Sequence, residues 1–427
     1  MSRLLRALLC SAVLALLVAP VKAELTVDIT KGTEGALPIV IVPFGQESLR
    51  GDNLATIISA DLVRSGRFSP LPDAQMPERP VPPETVNFGV WQSAGQEHVV
   101  IGRVVTLGEN SHEVAFSLYD AIRGSLLVTQ RIPFKTSEAR HTAHRIADII
   151  YKQITGERGI FNTRVAFVSA TGSGKQREYR LQIADTDGHD PRTVISSAEP
   201  IMSPAWSPNG KRIAYVSFEE GGSAIYLQDL GSGERQKLSD APGINGAPAW
   251  SPDGGELALT LSKEGSPDIY TLSVATRSLR RVTRDAGIET EASWSPDGRH
   301  LVFTSDRGGK PQLYLISVNG GEPQRLTYDG AYNARGVFSP DGRHLAMVQG
   351  GDGGYRIAVM DMASRSSRVL TRGSLDESPG FSPDGRTILY IRKDGGPEQL
   401  AAVSLDGKQH FTVPVRAGDV RGAAWSP

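Results

Sequence analysis

Three short constellations in this 427-residue chain carry residue types that do chemistry in other settings. Gly172-Ser-Gly-Lys175 resembles the end of a phosphate-binding loop, in which backbone amides and a lysine cradle an anion. Ser169 stands where the first glycine of such a loop belongs, and Gln176 replaces the hydroxyl residue that would reach magnesium. The flanking residues read as strands, so the segment is expected to be a hairpin turn. His141 and His144 lie three apart on a helical pattern and share a face, but no acidic or sulfur ligand completes a zinc set. Asp185-Thr-Asp-Gly-His-Asp190 resembles part of a calcium loop without the EF-hand order, and its place between two strands reads as a turn. No Gly-x-Ser-x-Gly elbow occurs, and nothing follows the last repeat to build a hydrolase domain. The expectation is a protein with no catalytic residue, no cofactor and no metal.

The elements that would position such residues are set by a repeat. An aromatic followed by Ser-Pro recurs at Trp206, Trp250, Trp294, Phe338, Phe381 and Trp425, at spacings of 44, 44, 44, 43 and 44 residues. That is the period of a four-stranded propeller blade. In the third copy Pro-Asp-Gly (296–298) makes a turn. His300–Thr304 and Leu313–Val318 read as strands, and Gln324–Thr327 as a short outer strand. The first blade has hairpin strands at Arg164–Val168 and Tyr179–Ile183 and an outer strand near Thr193–Ile195, but no inner strand precedes them. The orphan inner strand Arg421–Trp425 sits at the other end. Pairing it into blade one completes six blades and leaves no open inner edge.

The first 23 residues have a basic start, an apolar stretch and Val21-Lys22-Ala23, which reads as a secretory signal peptide cleaved after Ala23. Cys10, the only cysteine, lies inside it, so the mature chain is expected to carry no thiol, disulfide or lipid anchor. A formal net charge of −1 argues against a nucleic-acid partner, and no retained membrane segment is expected. Residues 24–159 do not repeat. Leu37–Phe44 reads as a strand, and Asp52 is expected to cap a helix carrying Leu54, Ile57, Ile58 and Leu62. Val99–Leu107, Glu113–Tyr119 and Leu126–Phe134 read as three strands. A second helix, opened by Ser137 and stopped at Gly156, carries Ala143, Ile146, Ile150 and Ile154. Pro70–Pro83 is expected to be irregular. The fold class is therefore mainly β: a small α/β domain at 24–159 ahead of a six-bladed propeller at 160–427.

Because inner and second strands are joined by the Pro-Asp-Gly turns, all these turns fall on one face of the ring. The other face receives sequence-variable polar groups. Ser203, Asn245, Thr290, Glu291, Arg335 and Glu377 lie near inner-strand starts, and Asp306, Arg307, Asp352 and Asp394 in adjoining loops. Such groups around a channel mouth suit specific binding. At the mature N-terminus Leu25, Val27 and Ile29 alternate with polar neighbours as a strand does. It is free either to dock on its own protein or to pair with a partner's sheet edge; an edge strand of the α/β domain is the plain alternative.

Several residues make the chain similar to the TolB family of the Tol–Pal cell-envelope system of Gram-negative bacteria. In the first domain these are Pro43-Phe44, Ala60-Asp-Leu62, Ser65-Gly66 and the Tyr-Lys-Gln-Ile-Thr-Gly ending at Gly156. In the propeller they are Met202–Trp206, Asn245–Ala249, Thr304-Ser-Asp306, Gly321–Thr327 and Ala424-Trp-Ser-Pro427. The resemblance implies a periplasmic, non-enzymatic scaffold that maintains outer-membrane integrity and supports invagination during division. It implies binding of the lipoprotein Pal at the propeller mouth and of TolA through the N-terminal strand, with other outer-membrane-associated proteins as further partners. Ile244 stands where family members often carry histidine, so that polar contact does not carry over. A secreted propeller holding a small saccharide or peptide in its channel is the alternative reading.

Overall fold

Each Pro-Asp-Gly turn is closed by the serine before it. Ser251 Oγ donates to Asp253 Oδ1 at 2.6 Å and accepts from the Glu256 N–H at 2.9 Å, so one hydroxyl ties both ends of the turn. The pattern repeats at Ser295, Ser339 and Ser382, and in the first copy Asn209 takes the aspartate's part. The aspartates are thus turn formers, as their position beside Gly suggests.

The protein is described here by a computed structural model covering residues 27–29, 35–45, 53–82, 85–351, 353–415 and 418–427. The signal segment with Ala23, as well as Leu25, Asp52 and Asp352, lies outside the described residues. Six four-stranded antiparallel blades form the ring, the last two joined by a single parallel bridge from Tyr355 to Leu375. Asp419–Trp425 pairs with Arg164–Thr171 and closes blade one, as the orphan strand predicts. The tryptophans stitch neighbouring blades. The indole N–H groups of Trp206, Trp250 and Trp294 donate to the carbonyls of Ala424, Ala205 and Ala249 on the preceding inner strands, at 3.2, 3.1 and 3.0 Å. Trp425 donates to Thr163 Oγ1 at 2.7 Å. A large buried ring with a satisfied polar tip suits an inter-blade seam.

In the first domain Leu37–Ile41 pairs in parallel with Phe68–Pro70 and His98–Gly108, and the sheet continues antiparallel through Ser111–Asp120 and Ser125–Lys135. Helices α1 (Leu54–Arg64) and α3 (Ala139–Thr155) cover one face, burying Leu54, Ile58, Leu62, Ala143, Ile146 and Ile150 completely. Helix α2 (Phe88–Ser93) places Trp91 against the other face with Val40, Val99 and Ile101. Details differ from expectation. Asn53, not Asp52, caps α1, its Oδ1 accepting from Ala55 and Thr56. Ser137 lies within a one-turn 3-10 segment, Thr136–Glu138, so α3 starts only at Ala139; Gly156 ends it in the left-handed conformation. The strand Phe68–Pro70, α2 and a 3-10 turn at Asp73–Gln75 are too short for a periodicity to reveal.

The first domain sits on the turn face. Gly66 packs so closely on blade six that an added Cβ would lie 1.5 Å from Gln409 Nε2. The Arg386 guanidinium of a blade-six turn reaches Glu157 at 2.6 Å. Between the two bodies runs a cleft of about 490 Å³, lined by Arg64, Arg67 and Tyr151 on one side and Asp341, Arg343 and Arg386 on the other. The N-terminal strand Val27–Ile29 does not join the α/β sheet. It pairs antiparallel with Gln409–Phe411 at the outer edge of blade six.

Candidate functional site

The face left open is the one where inner strands begin. Each inner strand breaks register two to three residues in, and one residue at each break takes positive φ: Ser203, Ala247, Glu291, Arg335, Ser378 and Gly422, at +50°, +47°, +56°, +54°, +56° and +62°. A bulge of this kind re-aims a side chain. Non-glycine residues in that region carry strain, so five of them at one level of one ring mark a site that the surrounding structure holds in place. Threonines of the preceding blade help hold it: Thr260 Oγ1 accepts from the Glu291 N–H at 3.2 Å, and Thr304 Oγ1 from the Arg335 N–H at 3.0 Å.

Three of the expected residues, Ser203, Glu291 and Arg335, therefore share one structural role. Glu291 Oε1 accepts from Arg335 Nε at 2.6 Å, and Arg335 also donates to Ser378 Oγ, which links the bulges of blades four, five and six. Burial works against the Arg335 charge, but Glu291 and Glu377 more than offset it and push the guanidinium pKa up. Glu377 stands one residue before its blade's bulge and remains half-buried. Thr290 Oγ1 lies 3.3 Å from Thr260 Oγ1.

Of the other expected residues, Asn245, Asp306 and Arg307 are tied inside the blades, while Asp394 pairs with Arg392 at the surface. Asn245 is buried; its Oδ1 accepts from Ser239 Oγ and the Ala241 N–H, and its Nδ2 donates to the Ala241 carbonyl. Asp306 Oδ1 accepts from the Ile288 N–H at 2.7 Å. Arg307 pairs with the fully buried Glu289 and stacks over Tyr314 at 5.2 Å. These groups shape the loops that carry the mouth.

Beside the polar mouth lies an apolar rim that polarity-based reading of the sequence does not reveal. Met202, Ile244, Ile288 and Tyr328 are 46, 50, 52 and 72 % exposed at inner-strand starts or in the loops of this face, and Tyr355, 42 % exposed, opens the third strand of blade five. Ile244, Ile288 and Tyr332 recur at spacings of 44 residues, so the repeat itself held the signal. Tyr332 is braced edge-to-face by Tyr355 at 5.1 Å. Exposed apolar groups flanking a charged centre on blades two to five are the anatomy of a protein-binding patch.

Of the chemistry-bearing segments, Gly174–Gln176 is a 3-10 turn in a β-hairpin, and 186–191 is a turn in which the Gly188 N–H donates to the Asp185 carbonyl. The fold, however, brings acidic groups to His144 that lie far off in sequence. Asp61 of α1 and Asp185 and Asp187 of blade one converge on it. Burial disfavours the charged imidazole, but the Asp185, Asp61 and Asp187 carboxylates outweigh it and hold its pKa at about 9. Asp148, one turn on, is pushed up by burial to about 6 even though the Phe161 and Asn162 N–H groups donate to it.

Fold and site together define a propeller with one face partly covered by an α/β domain and the other presenting an apolar, charge-centred mouth. Residues 25–127 match the TolB amino-terminal domain and residues 151–427 the TolB beta propeller domain. The Tol-Pal system protein TolB of Methylococcus capsulatus is 66 % identical over 95 % of each chain, and that of Thioalkalivibrio sulfidiphilus 59 % identical over 100 % of this chain and 99 % of its own. The crystal structure of TolB from Acinetobacter baumannii superposes with a TM-score of 0.87 at 40 % identity, over 95 % of this chain and 100 % of that one. The chain belongs to the TolB family.

Proposed function

We infer that the chain is a periplasmic binding scaffold of the Tol–Pal system, without a catalytic step of its own. Its open propeller face binds the lipoprotein Pal, and its N-terminal segment around Leu25, Val27 and Ile29 engages TolA. Through these contacts it serves outer-membrane integrity and invagination during division. The observation that carries the reading is the mouth itself: strained bulges Glu291 and Arg335 inside a rim of exposed Ile244, Ile288 and Tyr328. A desolvated apolar rim around a hydrogen-bonded charge pair supplies both affinity and register. With Ile244 at the rim, the contact there is apolar. The expected partner surface is matched to it, with a side chain that packs on an aliphatic group. The test is capture of Pal from envelope extract by immobilised wild-type chain, with Ile288→Asp and Glu291→Lys as comparisons. Recovery by the wild type and loss by both variants supports the reading. Equal recovery by all three places Pal elsewhere, and no recovery removes Pal as the partner.

A further inference from the structure

We propose that His144, Asp185 and Asp187 form a binding site for a divalent transition-metal ion of the Zn²⁺ type, which clips the α/β domain to blade one. The three ligand atoms lie within 4.8 Å of one another. His144 comes from α3, and both aspartates come from blade one, at the end of the strand Glu178–Asp185 and in the turn that follows it. The imidazole is 2 % exposed, and its two nitrogens have different fates. Nδ1 is held by Asp61 Oδ2 at 2.7 Å, the carboxylate–histidine arrangement that orients a metal-binding ring. Nε2 is buried with no hydrogen-bond partner among the described residues; its nearest acidic oxygens are Asp185 Oδ2 at 3.8 Å and Asp187 Oδ2 at 3.9 Å.

Those two distances are too long for hydrogen bonds. They suit ligands that share an ion, because atoms each about 2.0–2.2 Å from one centre lie at most roughly 4.4 Å apart. A buried polar atom without a partner calls for an explanation, and a shared cation supplies one. One imidazole nitrogen with two carboxylate oxygens is a donor set suited to Zn²⁺, Ni²⁺ or Mn²⁺.

A competing cation is already in place. Arg140 Nη2 donates to Asp187 Oδ2 at 2.5 Å, and its Nε lies 3.8 Å from Asp185 Oδ2. Asp187 Oδ1 meanwhile accepts from the His189 N–H at 3.1 Å. A carboxylate oxygen has two lone pairs, so Asp187 Oδ2 serves Arg140 on one and the ion on the other. Binding places the ion on the Nε2 lone pair, and one proton leaves His144 as it does so. The neighbouring guanidinium weakens the site. Its removal therefore tightens ion binding, the reverse of what a purely structural ion-pair network would show.

The test is calorimetric titration of the full mature chain, stripped with chelator, with ZnCl₂ and then NiCl₂. One ion per chain is expected, with Asp185→Asn and Asp187→Asn each weakening it by about tenfold or more and Arg140→Gln tightening it by roughly tenfold. The distant Asp229→Asn should leave it unchanged. Near-UV circular dichroism checks each variant's fold, and Co²⁺ absorption reports nitrogen–oxygen ligation in the wild type should a variant misfold. No stoichiometric ion, or an ion held equally by the Asp185 and Asp187 variants, overturns the proposal.

Discussion

The two faces of the propeller are built from the same six blades, yet they are put to opposite use. On the turn face, near-identical Ser-Pro-Asp-Gly segments spend their side chains on closing themselves, and the α/β domain covers part of what remains. On the open face the six equivalent bulge positions carry five residue types: Ser203 and Ser378, Ala247, Glu291, Arg335 and Gly422. The difference teaches where a repeat protein keeps its specificity. Positions that close the fold converge on one residue type, while positions that the fold merely aims are left to vary.

The largest effect expected from breaking this comparison comes from the ring closure that both faces need. Removing residues 419–427 strips the inner strand from blade one, with Trp425 buried in the seam. Loss of a core tryptophan alone costs about 3–5 kcal/mol, so the truncated chain should aggregate or melt far below the wild type in a thermal scan. A wild-type melting temperature would mean that the ring closes another way.

Next in size is the junction of the turn face with the first domain. His144, whose folded pKa is held at about 9 against about 6.5 in the unfolded chain, contributes fully below pH 6.5, and this contribution is lost as pH rises through 9. In chelator-containing buffer the loss should reach about 3 kcal/mol. His144→Gln should flatten that part of the stability-versus-pH curve measured by urea unfolding. An unchanged slope between pH 6.5 and 9 in the variant would remove His144 from the linkage.

A third expectation separates the N-terminal strand from both faces. Val27–Ile29 adds only three residue pairs to blade six, a small share of the fold. Deleting residues 24–32 should leave the melting temperature within a few degrees of wild type while abolishing TolA binding in a pull-down. Retained TolA binding would move that contact into the α/β domain.

Much of this was legible in the sequence because the repeat announces itself: aromatic-Ser-Pro at a 44-residue period yields the blades, their number and the closing strand. The helical stripe through Ala143, Ile146 and Ile150 is equally direct, as all three are fully buried. Short elements without a period stayed hidden, such as α2, whose Trp91 is completely buried. So did anything created by the meeting of distant segments. His144 and Asp185 are far apart in the chain, and only the docking of α3 on blade one joins them. The site was half legible. Glu291 and Arg335 stood out as variable charges, but their shared bulge geometry is a property of strand register, which residue types do not announce. Asp306 looked like an equal candidate, yet its carboxylate is occupied by the Ile288 amide. Glu291 is therefore the sharper residue for charge reversal.

The claim that binding belongs to the open face is tested most directly by Pal affinity in a matched pair of charge reversals, Glu291→Lys at the mouth and Arg299→Glu on the exposed turn face. Glu291→Lys sets two cations against each other where Glu291 now meets Arg335 at 2.6 Å. It should weaken Pal binding by roughly a hundredfold, about 2.7 kcal/mol, in a chain whose near-UV circular dichroism remains that of the folded wild type. Arg299→Glu should bind as wild type does. Equal affinities for the two variants, or a loss confined to Arg299→Glu, would contradict the assignment of the binding face.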